Sequence, residues 1–160
     1  MLKAQNTLKN SDSKVQKSFV IKNSATVGLG EAVSLSSGFV QRAGTSGVVL
    51  GVVTEIVDER GLPVTLTSNA YAAASDNQTV GKIKAVVNVS KEDIYSAALD
   101  AAVGTTTGSN LAGAAFNLMA DSKTIDESTV STPGTQFISL GLDPKDSTRV
   151  LVKILTSVLG

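Results

Sequence analysis

Apolar and polar residues alternate along several short segments of this chain, a period-two pattern that is typical of half-buried β-strands. The clearest case is residues 79–90, in which Ile83, Ala85, Val87 and Val89 fall on one face and polar residues fall mainly on the other. Because successive side chains of a strand point to opposite sides of the sheet, the apolar face of this segment is expected to be buried. The pattern predicts a strand.

Seven further segments have the alternation or the β-branched content of strands. They are residues 15–22, 32–40 (with an interruption at 36–38), 48–57, 62–67, 111–119, 135–142 and 149–156. Short loops rich in Gly, Ser, Thr and Asp separate them at the spacing expected of β-sandwiches and β-barrels. We therefore predict an all-β fold of about eight strands.

Three connections can also be interpreted from the sequence. Residues 48–57 and 62–67 are expected to form a hairpin around the turn at 58–61. Residues 69–78 are small and polar and are expected to loop over the surface. A short helix over 90–101 remains open, because a serine followed three residues later by an acid imitates a capping box.

Composition narrows the possible functions. The 160 residues include no Cys, His or Trp, so a thiolate nucleophile, a Cys-based zinc site and a His general base are all excluded. Fourteen Lys and Arg against fourteen Asp and Glu give a net charge of zero, unlike the basic footprint of nucleic-acid-binding proteins. No apolar run approaches the ~20 residues of a membrane span. We expect no cofactor, no nucleic-acid partner and no membrane partner. We also expect a hydrophobic core built mainly from Val, Ala, Leu and Ile.

The N-terminal segment differs from the remainder in charge. Residues 1–22 contain five Lys and one Asp, which gives 5 − 1 = +4 and leaves −4 for the remainder. We predict an extended arm over residues 1–17 and a single β domain over residues 18–160. The arm residues that we expect to contact a partner are Leu2, Lys3, Leu8, Lys9, Lys14, Val15 and Lys17. A second interpretation treats the lysines as a solubilising tail.

Two polar motifs have weak functional counterparts. Asp121, Asp126 and Glu127 are close enough in sequence to gather around a Ca²⁺ ion, but their spacing matches no EF-hand loop. Ser11 and Lys14 have the spacing of a Ser-x-x-Lys nucleophile, but they lie in the predicted arm, which is a poor catalytic scaffold. We expect solvated loop residues in both cases and assign no metal site and no catalytic residue.

Two pairs of carboxylates have the chemistry of a glycosidase acid and base. They are Glu92 with Asp93, and Asp143 with Asp146. Glycosidases also need a substrate cleft, which is usually lined by aromatic residues, and this sequence contains four Phe, two Tyr and no Trp. We therefore predict that the chain is not an enzyme.

Five stretches of the sequence carry a resemblance to a known family. They read SGFVQRAGTSGVVLGVVTEI, VGKIKAVVNVS, DIYSAALDAAVGTTTGSNLAGAAFNLM, ADSKTIDEST and QFISLGLDPKDSTRVLVKIL, from Gly38 to Leu155. Their most characteristic parts are Tyr95–Gly108 and Gly141–Pro144, the latter followed by Asp146–Val150. Together they resemble the capsid decoration proteins, also called cement or head-stabilising proteins, of tailed bacteriophages.

The resemblance implies a fold, a partner and a location. It implies a small β-barrel or β-tulip-like sandwich that sits on the outside of the virion head, often as a trimer, after synthesis in the host cytoplasm. It also implies an N-terminal arm that reaches over neighbouring subunits of the major capsid protein. We therefore expect a structural virion protein that stabilises the capsid. The alternative is a carbohydrate-binding or adhesive β module, which would need Tyr71 and Tyr95 exposed for stacking on sugars.

Overall fold

The regular elements of the described residues are all β-strands. The computed structural model describes residues 3–5 (main chain only), 15–100, 112–126 and 136–155. The strands are β1 Lys3–Gln5, β2 Gln16–Val20, β3 Thr26–Gly28, β4 Ala32–Ser36, β5 Phe39–Arg42, β6 Gly51–Val57, β7 Ala70–Ala72, β8 Lys84–Asn88, β9 Ile94–Leu99, β10 Ala115–Leu118, β11 Thr124–Asp126, β12 Phe137–Asp143 and β13 Asp146–Ile154. The predicted all-β fold is confirmed.

The C-terminal strands close into a small barrel. The strands pair in the order β9, β11, β10, β12 and β13, and β13 pairs back with β9. The β9–β11 pairing is parallel, and the other pairings of this ring are antiparallel. β1 and β11 pair with the same edge of β9. β1 pairs with its first half, and β11 pairs with its second half. Closure leaves this ring without an open edge at β9.

The N-terminal strands form a second, five-stranded antiparallel sheet. Its order is β2-β8-β6-β4-β5. The two outer strands approach each other at one point, where Ile21 and Val40 form a parallel bridge and the Lys22 N–H donates to the Val40 carbonyl at 2.8 Å. A two-stranded sheet of β3 and β7 accompanies it.

The buried apolar residues form two clusters, and the first contains side chains from both sheets, with Ala32 of β4 and Val52 of β6 among residues of the barrel. The first consists of Ala32, Ala43, Val49, Val52, Tyr95, Ala97, Phe116, Leu118, Ile125, Phe137, Val150, Val152 and Ile154. The second consists of Ile21, Val27, Val33, Val40, Leu50, Val53, Ile56, Ala73, Ala85, Val87 and Val89. Aliphatic residues and Ala predominate, as the composition predicts, but three of the largest fully buried side chains are aromatic and lie in the first cluster.

Hydrogen bonds join the two sheets where their cores meet. The Ala32 N–H donates to the Ser122 carbonyl at 2.8 Å, and the Ser122 hydroxyl donates to the Ala43 carbonyl at 2.6 Å. The Gln136 side chain donates to the Gly44 carbonyl at 2.9 Å. These bonds satisfy polar groups that would otherwise be buried without partners, at a penalty of about 1–3 kcal/mol each.

Residues 32–40 form two strands rather than one. β4 and β5 pair antiparallel, with Ser36 opposite Phe39, so Ser37 and Gly38 form a two-residue turn. Both turn residues have positive φ, 52° and 84°, as a type I′ hairpin turn requires. Gly38 adopts a positive φ readily. A serine rarely does, so Ser37 gives no sign of the turn in the sequence. The predicted interruption was therefore a reversal of the chain.

Three other connections differ from the sequence interpretation. Residues 62–67 form no strand: Pro63 makes a single bridge to Val57, because proline has no N–H to continue a ladder. Residues 69–78 contain β7, which pairs with β3, in place of the predicted loop. The open question over 90–101 is resolved as strand β9, in which Tyr95 and Ala97 alternate into the first core.

Gly51 occupies a position where the main chains of β6 and β8 approach closely. A methyl group added at Gly51 would lie 2.1 Å from the Asn88 carbonyl oxygen and 2.8 Å from Val87 Cγ1. At Gly44 the nearest atom would be 3.8 Å away, and its φ is not positive. The two glycines therefore form a matched pair for substitution.

We predict that Gly51→Ala lowers the free energy of unfolding by about 1–3 kcal/mol, because the strands must separate to admit the methyl group. Gly44→Ala should change it by less than about 0.5 kcal/mol. Urea unfolding monitored by circular dichroism measures both. Equal effects of the two substitutions would contradict the close strand approach.

Candidate interaction surfaces

The predicted arm contacts lie partly outside the described residues. Leu2, Leu8, Lys9 and Lys14 are outside them, and only the main chain of Lys3 is described. Val15 and Lys17 are exposed at the start of β2, on the other sheet from β1. The described part of the predicted arm therefore belongs to two strands in two different sheets.

The N-terminal strand β1 adds to the barrel through its main chain. Lys3 lies opposite Ser96, and Gln5 lies opposite Ile94, in antiparallel register. Main-chain pairing of this kind requires little of the side chains, so a polar, lysine-rich segment can form it. The partner strand here is β9 of the same chain.

The strand β2 has an open edge. It pairs with β8 on one side, and on its other side the described residues contribute only the bridge between Ile21 and Val40 beyond its end. Gln16, Lys17 and Ser18 are exposed. An uncovered edge strand is a template for pairing with another strand.

The hydrogen bonds of β2 fix which main-chain groups face this open edge. The Val89 N–H donates to the Val15 carbonyl at 2.9 Å, and the Ile21 N–H donates to the Ile83 carbonyl at 3.0 Å. In an antiparallel pair these bonds recur at every second residue, so the odd-numbered residues of β2 bond to β8. The main-chain groups that point away from β8 belong to residues 16, 18 and 20, and the bridge between Ile21 and Val40 places β5 beside the last of them.

A buried carboxylate links the two sheets. Glu31 has no exposed surface, and its carboxylate accepts from Arg42 Nε at 2.8 Å and from Arg42 Nη2 at 2.7 Å. It also accepts from the Gly28 N–H at 2.8 Å, and Lys123 Nζ, from the other sheet's side, lies 3.2 Å away. Burial alone would raise the pKa of Glu31, but the bonds from Arg42, Gly28 and Lys123 outweigh it and hold that pKa below its ordinary value. The sequence alone does not identify this buried ionic contact. Its only signal there is an acid, Glu31, directly before the strand Ala32–Ser36.

A second polar cluster is located on the barrel. The Ser96 hydroxyl donates to Asp143 Oδ2 at 2.6 Å and accepts from Arg149 Nε at 2.8 Å. Arg149 Nη2 also donates to the Ser96 carbonyl at 2.6 Å. The Ser96 bond and the Lys145 N–H hold the pKa of Asp143 below its ordinary value. An ionised carboxylate of low basicity is a weak general base, so this arrangement supports turn geometry rather than nucleophile activation.

The two predicted carboxylate pairs are divided between different environments. Asp93 is buried and accepts a hydrogen bond from the Asn88 side chain, whereas Glu92 is exposed and lies 3.3 Å from Lys153. Asp146 is exposed and binds the main chain and hydroxyl of Thr148, whereas Asp143 is buried. Neither pair has both carboxylates facing a common space.

The predicted calcium ligands are also divided. Asp121 accepts from the N–H groups of Lys123 and Thr124, both at 2.9 Å, and so fixes its own turn. Asp126 ends β11, and Glu127 lies outside the described residues. In the described part of the chain, no three acidic side chains are grouped as metal ligands would be.

The two tyrosines are poorly placed for stacking on sugars. Tyr95 is 1% exposed within the first core, and its hydroxyl has no hydrogen-bond partner among the described residues. Tyr71 is half-buried against the second core. Sugar-binding surfaces usually present an aromatic face, and Tyr95 does not offer one.

Comparisons with known proteins give no match, whether with family models, with curated proteins or with solved structures. Within the described ranges, no helix has the length and hydropathy that a membrane span requires.

We predict that Glu31→Gln lowers the free energy of unfolding at neutral pH by about 1–3 kcal/mol, because Arg42 and Lys123 lose their buried counter-ion. The exposed control Glu92→Gln should change it by less than about 0.5 kcal/mol. Thermal and urea unfolding measure both. Equal, small effects would contradict a stabilising role of this contact.

The pH dependence of this effect has a defined sign. Because the folded-state pKa of Glu31 is lowered from 4.5, its stabilisation is present above that value and is lost as the pH falls through the folded pKa. The stability difference between wild type and Glu31→Gln should therefore shrink on acidification. A difference that is constant down to acid unfolding would contradict the assignment.

Proposed function

We propose that this chain is a structural protein of a tailed-phage virion that binds the outside of the assembled capsid and stabilises it. Two lines of support converge. The stretches between Gly38 and Leu155 resemble capsid decoration proteins. The N-terminal segment contributes a strand, Lys3–Gln5, to a sheet edge by main-chain pairing. This strand pairing is the observation that carries the proposal, because the same chemistry would serve to attach the segment to another protein.

A capsid-stabilising role matches the physical character of the chain. A shell under outward pressure is held by many identical contacts, because linked contacts gain from effective concentration. A standard interface buries about 800 Å² on each partner, which is a large share of one face of a body this small, so an arm adds contact area without enlarging the core. In this proposal the partner is the major capsid protein, and the decorating unit is a homo-oligomer, for which the resemblance favours a trimer.

The lysines of the N-terminal segment have a specific role in this proposal. Residues 1–22 carry a charge of +4 in a chain of zero net charge. Exposed lysines attract acidic patches on a partner and help to set the register of an added strand. Their contribution is screened over about 8–10 Å near physiological ionic strength, so it decreases as salt is added.

We predict that deletion of residues 2–14, which removes β1, leaves the ring of β9 to β13 and the five-stranded sheet folded but abolishes capsid binding. This deletion spares β2, which begins at Gln16 and would be cut by removing the whole predicted arm to residue 17. The assay is co-sedimentation with particles of a phage that lacks the gene, and circular dichroism confirms folding. Undiminished occupancy by the truncated protein would refute the role of the segment. Failure of the full-length protein to bind would refute the proposed function itself.

We also predict that Lys9→Gln with Lys14→Gln weakens capsid binding by about tenfold at low salt and flattens its salt dependence. The matched control is Lys82→Gln with Lys145→Gln, which removes the same charge from exposed positions on the body. The control should bind like wild type. Identical salt dependence of both variants would favour the interpretation of the N-terminal lysines as a solubilising tail.

A further inference from the structure

We infer that the edge of β1 that pairs with β9 in the free chain is also the edge that binds the capsid, so that β1 leaves β9 when the protein attaches. This inference rests on the proposed function, because it specifies how the N-terminal segment attaches. The partner is an uncovered strand edge on a capsid subunit, which accepts β1 by main-chain pairing. The strand Lys3–Gln5 then exchanges one partner strand for another.

The hydrogen bonds of β9 show which of its main-chain groups face β1. The Asp100 N–H, directly after β9, donates to the Ile125 carbonyl of β11 at 3.1 Å. Because main-chain groups of successive residues point to opposite edges of a strand, the even-numbered residues of β9 face the edge that β11 and β1 share. Ile94 and Ser96 are therefore the residues of β9 that bond to β1.

This pairing uses the edge of β1 that has more hydrogen-bonding groups. Lys3 lies opposite Ser96 and Gln5 lies opposite Ile94, so the main-chain N–H and carbonyl groups of Lys3 and Gln5 are directed at β9. The main-chain groups of Ala4 are directed away from it. A strand that stays on β9 thus offers a partner one residue, whereas a released strand offers two. Adding β1 to another sheet through its fuller edge therefore requires release from β9.

The barrel closes without β1. Its ring consists of β9, β11, β10, β12 and β13, and β13 pairs back with β9. β1 pairs with the first half of β9 over three residues, and no other described strand pairs with it. Among the described strands, release of β1 therefore breaks no pairing except its own. Short edge segments of this kind open without unfolding of the rest of a protein.

The edge of β9 keeps a hydrogen bond when β1 leaves. Arg149 Nη2 donates to the Ser96 carbonyl at 2.6 Å, and this carbonyl is one of the groups that face β1. The Ser96 hydroxyl is bonded to Asp143 and to Arg149 Nε, so the side chain is satisfied without β1. A carbonyl that retains a charged donor loses less when its strand partner departs. This arrangement favours reversible pairing of β1.

The first test locks β1 onto β9. The chain has no cysteine and Gln5 lies directly opposite Ile94, so Gln5→Cys with Ile94→Cys places two thiols within disulfide reach. In the co-sedimentation assay, we expect the oxidised variant to bind particles at least about tenfold more weakly than the reduced variant. The matched control is Ser34→Cys with Gln41→Cys, at opposite positions on β4 and β5. Its oxidation should leave binding unchanged.

The outcomes of this test distinguish the inference from the proposed function. If the oxidised variant binds like the reduced one, β1 remains on β9 during attachment and the inference is overturned, whereas the proposed function stands. If the wild-type chain does not bind particles, the proposed function is refuted and the inference with it. If both disulfides weaken binding equally, the effect is not specific to β1 and the inference is overturned.

The second test needs no capsid. When β1 leaves β9, the Ser96 N–H is exposed, whereas the Ala97 N–H remains directed at β13. In the free wild-type protein, we expect the hydrogen-exchange protection factor of Ser96 to be at least about tenfold lower than that of Ala97, measured by NMR. The oxidised Gln5→Cys, Ile94→Cys variant should raise protection at Ser96 and leave Ala97 unchanged. Equal protection of the two amides in wild type would overturn the inference, and this comparison decides if the reduced variant does not bind.

Discussion

The arrangement of the two sheets depends on one buried ionic contact. Glu31 is enclosed between the start of β4 and the turn that leads into β11, and it has Arg42 on one side and Lys123 on the other. A carboxylate without such partners would be expelled or protonated in this position. The contact is flanked by the Ala32 and Ser122 hydrogen bonds, so charge pairing and main-chain pairing hold the same junction.

Local patterning predicts the strands well and their partners poorly. The alternation around Ala85 and Val87 identifies a strand with a buried face, and both residues belong to the second core. The same reasoning treats residues 32–40 as one interrupted strand, because a positive φ at Ser37 has no signature in the sequence. The pairing of β3 with β7 and the closure of β9 with β13 join residues more than forty positions apart. Glu31 is missed because its counter-ions lie on other elements, Arg42 on β5 and Lys123 in the turn before β11.

The candidate interaction surfaces of this chain are strand edges, which offer main-chain groups rather than reactive side chains. The β9 edge is covered by β1 and β11, whereas among the described residues the β2 edge is approached only at its end, where Ile21 and Val40 form a bridge. Ser96 bonds to both Asp143 and Arg149, and the acidic pairs are divided between buried and exposed sites. A chain built in this way is suited to adding strands to other chains. That property is what a protein needs if it holds an assembled shell together.

The most direct test of the capsid proposal is an electron cryomicroscopy reconstruction of the phage particle that carries this protein. The account predicts the two β sheets on the outer surface of the head, with the N-terminal segment extending over, and paired with, neighbouring capsid subunits. An outer surface that lacks the protein, or an N-terminal segment that touches no capsid subunit, would contradict it.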